Sequence, residues 1–396
     1  MMKLYLIAFL DIFNIALLVP IAPVHLLAIG GTRFQIGLLA SLHAVLQLSI
    51  GPLIGSWSDT KGRKPLLIQL GFLVLISNAL LFIKSSLIIY VFSRFLFGVF
   101  GHIQILIKAL ITDHVPKEKQ NEVFAKIGGL FGLSFVVGPL LGSILISYGF
   151  EYIAATLTVT SVINLIACLT LPNEKIKQNK TKKGEKELFE AFTNLKTIKW
   201  GSYWDVLTYK FLGETSNAAF FSVFGMLIMD EYGKTQEVMA YVLSFFSFMV
   251  IVANLFSNKL KLACYPNDTK GLKRNLHSFI IVTLVYVVLY VFSSFWMLVF
   301  LIVPLSVFRT LLDVTWTEML VMRTTKDDSG KIMGVFESMI HMAGLLTPIL
   351  SGYVVDTYGY KSTFLISVVV LSFGSLLGYD RLNKKRIKKG KKVKNQ

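Results

Sequence analysis

Residues 55–65 read Gly55-Ser-Trp-Ser-Asp59-Thr-Lys61-Gly62-Arg63-Lys64-Pro65. Charges, glycine and proline crowd this stretch, yet the runs on either side, about 35–57 and 66–84, are largely apolar and close to 20 residues long. A helix of that length crosses the roughly 30 Å of a bilayer core, so the break reads as a tight connection between two antiparallel spans. The same alternation continues in both directions. Breaking the chain at charges, glycine and proline gives twelve spans near 4–29, 35–57, 66–84, 87–112, 122–148, 152–171, 205–229, 235–257, 276–293, 295–321, 331–355 and 361–380.

Composition agrees with that division. Of the 396 residues, 54% are apolar or aromatic and 16% charged, against roughly 45–50% and about 25% in a soluble domain. Twelve spans of about 20 residues leave room for loops and one linker, not for a sizeable soluble domain. In lipid an isolated span has to satisfy its own backbone hydrogen bonds, and the ten-residue alternation of a barrel strand is missing, so the spans are helices. The expected fold class is an all-α membrane protein with twelve transmembrane helices. The start, MMKLYLIAFL, imitates a signal peptide, but Asp11 and Asn14 interrupt it and no small-residue cleavage site follows, so it is read as a retained first span.

The net charge of +17 first raises a nucleic-acid footprint. The basic residues lie between apolar runs instead. With a cytoplasmic N-terminus, 31 of the 40 Lys and Arg fall on the cytoplasmic side; Arg33, Lys84, Lys234 and Lys361 fall opposite, and five lie within spans. That asymmetry places both termini inside, and no nucleic-acid partner is expected. Cys168 and Cys264 suggest neither a disulfide framework nor a metal site.

The Lys-rich insert 173–204 divides two six-span halves, residues 1–172 and 205–380, followed by a basic tail, 381–396. The halves echo each other. The stretch from Lys117 around spans five and six resembles that from Asp327 around spans eleven and twelve: Pro139 corresponds to Pro348, Tyr148-Gly149 to Tyr358-Gly359, and upstream Arg94 to Arg309. A parallel repeat of six spans marks a pair of pseudo-symmetric bundles.

The 55–65 loop is similar to the signature loop of the major facilitator superfamily, and the resemblance extends over essentially the whole chain. It implies two six-helix bundles, alternating access, and a gate made by Gly55, Asp59, Gly62 and Arg63. In physical terms Gly55 permits close helix contact and Gly62 a tight turn. The C-half counterpart, near Asn258 to Lys273, reads as degenerate. Span one, with Leu10-Asp11 and Pro20, resembles the first-span motif of the superfamily's twelve-span drug/proton antiporters. Asp11 lies close to mid-bilayer, where a carboxylate is protonated, paired or hydrogen-bonded, so a coupling role and a structural one around Pro20 and Pro23 both stand. Span four places Arg94, Gly98, Gly101, His102 and Lys108 on about one third of a helix circumference, with Arg94 the deeper cation. Span five carries Gly138, Pro139 and Gly142, similar to the family's antiporter Gly-Pro motif, although Ser134 replaces a usual glycine.

The C-half carries polar stripes: Lys210, Glu214 and Asn217 on span seven; Arg309, Asp313 and Trp316 on span ten; Glu337 and His341 on span eleven. Spacing allows Lys210–Glu214 and Arg309–Asp313 to neutralise each other at i, i+4. Glu337 with His341 is the preferred C-half proton or substrate pair. Solute or coupling candidates are therefore Asp11, Arg94, His102, Glu214, Asp313, Glu337 and His341; Gly138, Pro139 and Gly142 form the bending helix. Gly233-Lys234-Thr235 lacks the upstream glycine of a phosphate loop, and neither an HExxH site nor a nucleophile elbow occurs, so no enzyme, cofactor or metal centre is expected.

The expected function is a secondary carrier, a monomer in the bilayer, moving a small organic solute in exchange for protons. A facilitative uniporter and a transporter-like receptor or scaffold without turnover remain as alternatives. Lys392-Val-Lys394 near the C-terminus resembles a dilysine retrieval signal, which leaves early secretory membranes beside the plasma membrane. The topology places the Asn-x-Thr acceptors Asn179 and Asn267 in the cytoplasm. Expression in a glycosylating host should leave both unmodified by mass spectrometry; glycan at either would overturn the orientation.

Overall fold

The computed structural model describes residues 1–83, 86–172, 200–324 and 329–394. Inside helices, the side chains of 56, 59, 60, 117, 118, 121, 125, 329–331 and 385–394 lie outside that description. The expectations for the Asp59 side chain, most of the 173–204 insert and the tail lysines from Lys385 onward therefore fall outside the described residues.

Among the described residues there are helices and no strands: α1 (Met2–Leu18), α2 (Ala22–Ala28), α3 (Arg33–Lys61), α4 (Arg63–Ala79), α5 (Leu87–Phe100), α6 (Ile103–His114), α7 (Lys117–Ile146) and α8 (Phe150–Leu169), then α9 (Trp204–Met226), α10 (Gln236–Cys264), α11 (Leu272–Val291), α12 (Phe295–Val321), α13 (Ser329–Tyr358) and α14 (Thr363–Lys394). Among the described residues eleven segments are long and apolar enough to cross a membrane, or twelve with α1 and α2 taken as one span bent by 44°. That bend falls where Pro20 and Pro23 remove backbone donors. The span expected over 87–112 is present as one apolar segment, Leu87–His114, but its helix is interrupted between α5 and α6. Gly101 leaves helical geometry and His102 occupies the N-cap position of α6 without a side-chain cap, since a glycine at that position offers little resistance to unwinding. Arg94 and His102 are consequently not on one continuous helix face.

Turns follow local chemistry. Thr32 accepts from the Gln35 backbone N–H while the Gln35 side chain accepts from Thr32 N–H, a reciprocal cap at the start of α3. Gly62 joins α3 to α4 at φ +91°, a conformation L-residues rarely adopt.

Packing divides the chain into two compact units, Met1–Thr197 with Ile228–Phe248, and Ile198–Leu227 with Met249–Gln396, so α10 is shared between them. Lipid offers no hydrophobic drive for helix association, so close approach through small residues takes its place. In the first unit α7 presses on α1: a Cβ at Gly138 would meet Ala16 Cβ at 2.8 Å, and one at Gly142 would meet Ile21 at 2.9 Å. Pro139 lies inside the uninterrupted α7. In the second unit α14 presses on α11 through Gly374 and Gly378, spaced identically, against Phe279 and Leu276. Gly55 differs from expectation: a Cβ there meets open space, so no close contact requires this glycine.

Replacing Gly138 by Val should lower the thermal unfolding midpoint of the purified protein, by the equivalent of about 1–3 kcal/mol of overpacking. Gly129→Ala, where a Cβ meets nothing within 4 Å, should leave it unchanged or raise it.

Candidate functional site

Buried polar groups of the first unit are held by amides and hydroxyls. Asp11 on α1 is buried, and its carboxylate accepts from Gln104 Nε2 at 2.6 Å; the same amide donates to the Ala8 carbonyl at 3.3 Å. One glutamine on α6 thus holds the carboxylate against its own helix. A turn further, Asn14 and Asn78 both donate to Ser161 Oγ, at 3.3 and 2.9 Å, and Thr160 donates to Asn14. Asn78 then accepts from Arg94 Nη2 at 3.2 Å, and Ser93 Oγ accepts from it at 2.8 Å. Among the described residues no carboxylate pairs with Arg94, whose Nε is buried without a hydrogen-bond partner. The Phe97 ring lies 5.4 Å from the guanidinium. His102 is fully buried, with its ring 3.8 Å from the place a Cβ on Gly51 would take.

The second unit uses full charges. Lys210 Nζ lies 2.7 Å from Glu214 Oε1 and 3.0 Å from Asp313 Oδ1, and Asn217 donates to Glu214 Oε2 at 3.3 Å. The expected Lys210–Glu214 pair is present. The expected Arg309–Asp313 pair is not: Asp313 turns to Lys210 on the neighbouring helix, and the carboxylate nearest Arg309 is Glu214, at 3.9 Å. Helical spacing brings i and i+4 side by side, but a shorter contact across helices wins when packing supplies it. Lys210 also lies near the Trp316 and Phe336 rings, at 5.8 and 5.2 Å. Trp316 is fixed by donating to Asn275 Oδ1 at 2.7 Å. A crevice lined by Gly213, Ser216, Tyr286, Arg309, Asp313 and Trp316 has free space of about 10 Å³, about enough for one water. Glu337 is exposed and His341 half-buried on α13; no hydrogen bond or ion pair joins them among the described residues.

Two loops carry organised charge. At the 55–65 loop, Arg63 Nε donates to Asp113 at 3.0 Å and Arg63 Nη1 to Ser58 Oγ, while Ser58 donates to the Gly55 carbonyl at 2.6 Å. Lys64 donates to the Leu171 carbonyl at 2.6 Å. The counterpart read as degenerate is organised instead. Asp268 accepts from the Arg274 backbone N–H at 2.8 Å, and the fully buried Arg274 side chain donates to Thr315 and Glu318, both at 2.6 Å. Lys261 reaches the same Glu318 at 2.6 Å. Gly271 turns at φ +69°, and a Cβ there would meet Thr315 at 2.9 Å. The signal was present in the sequence: Asp-Thr-Lys-Gly occurs at 59–62 and again at 268–271.

Comparison with known proteins agrees with the fold. The model of the Major Facilitator Superfamily matches residues 4–261 and again 211–395. The chain belongs to the Major Facilitator Superfamily. It is a multi-pass membrane protein of a transporter family and not an enzyme. Within the superfamily it is similar to the class E tetracycline resistance protein of Escherichia coli, 29% identical over 36% of each chain; that match spans about a third of the relative's length. It is also similar to solute carrier family 22 member 18 of Rattus norvegicus, 21% identical over 90% of this chain and 87% of the relative. The crystal structure of the human organic anion transporter MFSD10 shares the fold at a TM-score of 0.69 and 17% identity, covering 95% of this chain and 98% of that one.

Lys210 is the group on which the charge network turns. Removing one member of a buried ionic cluster strands the others, at a cost of about 3–5 kcal/mol. Lys210→Met should therefore lower the unfolding midpoint sharply, and the further change of Glu214→Gln in the same chain should restore part of it. Equal stability of Lys210→Met and the native protein would show that water already carries these charges.

Proposed function

We propose that this superfamily member is a secondary active carrier that moves a small organic solute by alternating access, driven by proton antiport. The observation that carries the reading is the set of ionisable groups held inside membrane-length helices: Asp11 with Gln104 in the first unit, and Lys210, Glu214, Asp313 and Arg309 in the second. Charges at such depth are costly and accompany ion or solute pathways. Antiport is favoured by the first-span and Gly138-Pro139 motifs and by relatives whose names are those of tetracycline and multidrug resistance proteins. Asp11, Arg94, Glu214 and Asp313 serve solute and proton, with His102, Glu337 and His341 as further candidates. Gly55, Asp59, Gly62 and Arg63 form the gate, and Gly138, Pro139 and Gly142 the bending helix. Residues 1–172 and 205–380 act as two bundles joined by 173–204, in a monomer with both termini in the cytoplasm.

Proteoliposomes holding the purified chain, with an imposed pH gradient, test the activity against a broad panel of organic solutes. Flux that follows the gradient and reverses with it is expected, and Asp11→Asn should reduce gradient-driven uptake at least tenfold while sparing solute exchange. Flux independent of the gradient would replace antiport by uniport; no flux for any solute, with the protein folded, would sink the carrier reading. Orientation has its own test in Cys264, which is exposed while Cys168 is buried. A membrane-impermeant maleimide should label Cys264 in inside-out vesicles and leave it unmodified in intact cells.

A further inference from the structure

Arg309 stands apart from the other buried cations of the second unit. Arg274 makes side-chain hydrogen bonds to Thr315 and Glu318, and Lys210 lies within 3.0 Å of two carboxylates. Arg309, mostly buried on α12, has a single ionic neighbour among the described residues, Glu214 Oε2 at 3.9 Å. That is beyond hydrogen-bond reach. Glu214 is already served by Lys210 and Asn217. A guanidinium carries five N–H donors in a rigid fork shaped for a carboxylate, and here that fork borders a crevice lined by Ser216, Tyr286, Trp316 and Asp313.

We propose that Arg309 receives the carboxylate of a small organic anion whose apolar or aromatic body packs against Tyr286 and Trp316. The assignment names the solute class for the carrier reading and rests on it. Three observations favour an anion. Lys210 already shares an oxygen of each carboxylate, so a cationic solute meets acids that an internal cation holds, whereas a carboxylate meets Arg309 donors that make no hydrogen bond among the described residues. The Arg309 side chain keeps 16% exposure and borders the crevice, so its donors can be reached from there. Arg94, the corresponding residue of the first repeat, also makes no hydrogen bond to a carboxylate among the described residues; its hydrogen-bond partners are Asn78 and Ser93. Entry of a solute requires the crevice to widen, as alternating access provides.

The probes are benzoate and hexanoate, with benzamide and benzylamine as neutral and cationic counterparts, added at constant ionic strength to the purified full-length protein. Benzoate and hexanoate should raise its thermal unfolding midpoint, and benzamide and benzylamine should not. In Arg309→Gln the apparent affinity for benzoate should fall at least tenfold; in Arg309→Lys, which keeps the charge and loses the fork, it should fall less. Arg309→Lys serves as the deciding variant if Arg309→Gln does not fold. No shift with either carboxylate, equal shifts with benzamide or benzylamine, or unchanged benzoate affinity in both variants would overturn the assignment. Transport separates this from the underlying reading. Gradient-driven flux of benzylamine without a benzoate shift overturns the anion site and keeps the carrier; an Arg309-dependent benzoate shift without flux of any solute keeps the site and overturns the carrier.

Discussion

Lys210 holds one positive charge between two carboxylates, within 3.0 Å of each. At an effective dielectric constant near 20, unit charges at such a distance attract by about 5 kcal/mol per pair. Moving each ion out of water costs several kcal/mol in return. For the buried Lys210–Glu214 pair the two quantities nearly cancel, and for Lys210–Asp313, whose carboxylate is 43% exposed, water weakens both, so the complete cluster adds little to stability. A bundle core of the same volume could be filled with leucine at no loss. What four charges retain, and leucine lacks, is the capacity to exchange partners: Asp313 or Glu214 can be released from Lys210 by a proton or by a competing anion, and such exchange changes how firmly two helices are tied together. α9 and α12 are the helices so joined.

The remainder of each unit is built to keep such a cluster in place without a hydrophobic drive between helices. Both units place two glycines four residues apart on one helix, Gly138 and Gly142 on α7, Gly374 and Gly378 on α14, and press them against a partner helix. Contact at that distance fixes the rotation of both helices and hence the direction of their polar side chains. Asp11 lies five residues before Ala16, the residue that Gly138 meets, so the α1–α7 contact also sets where Asp11 points relative to Gln104. In the second unit Gly213 lies directly beneath the Trp316 ring, where no larger residue fits, and Trp316 in turn borders the Arg309 crevice.

Features determined within one helix or one turn are legible in the amino-acid sequence. Span positions follow from apolar length, the Gly62 turn from glycine's freedom at positive φ, and the Lys210–Glu214 pair from i, i+4 spacing. Features that depend on a second helix are not. Spacing alone assigns Asp313 to Arg309, whereas packing delivers it to Lys210; Gln104, the partner of Asp11, carries no charge and so leaves no mark in the pattern of span four. The break at Gly101-His102 is hidden because apolar content continues through it, and apolar content measures length in lipid without reporting helical continuity. The second charged loop is masked for a different reason: Leu272 stands where Arg63 stands in the first, and the arginine falls two positions later, at Arg274. The side chain still reaches an acidic partner on a neighbouring helix, Glu318 where Arg63 uses Asp113.

The two units therefore solve one electrostatic problem in two ways. In the first, Asp11 and Arg94 are each stabilised by dipoles, and dipoles hold a charge without cancelling it. Among the described residues Arg94 has no carboxylate to cancel it, and Asp11, held by a neutral amide, can gain or lose a proton without breaking an ion pair. In the second, Lys210 and Arg309 against Glu214 and Asp313 sum to zero, and the field outside the cluster is short-ranged. A neutral cluster responds only to a group that enters it and competes for a partner. Amide-held charges suit attraction and sensing at a distance, whereas a closed ionic cluster suits discrimination by contact. The arrangement gives Gln104 and Asn78 a role beyond filling space: replacing either by a charged residue would restore pairing and remove the field that its neutral partner preserves.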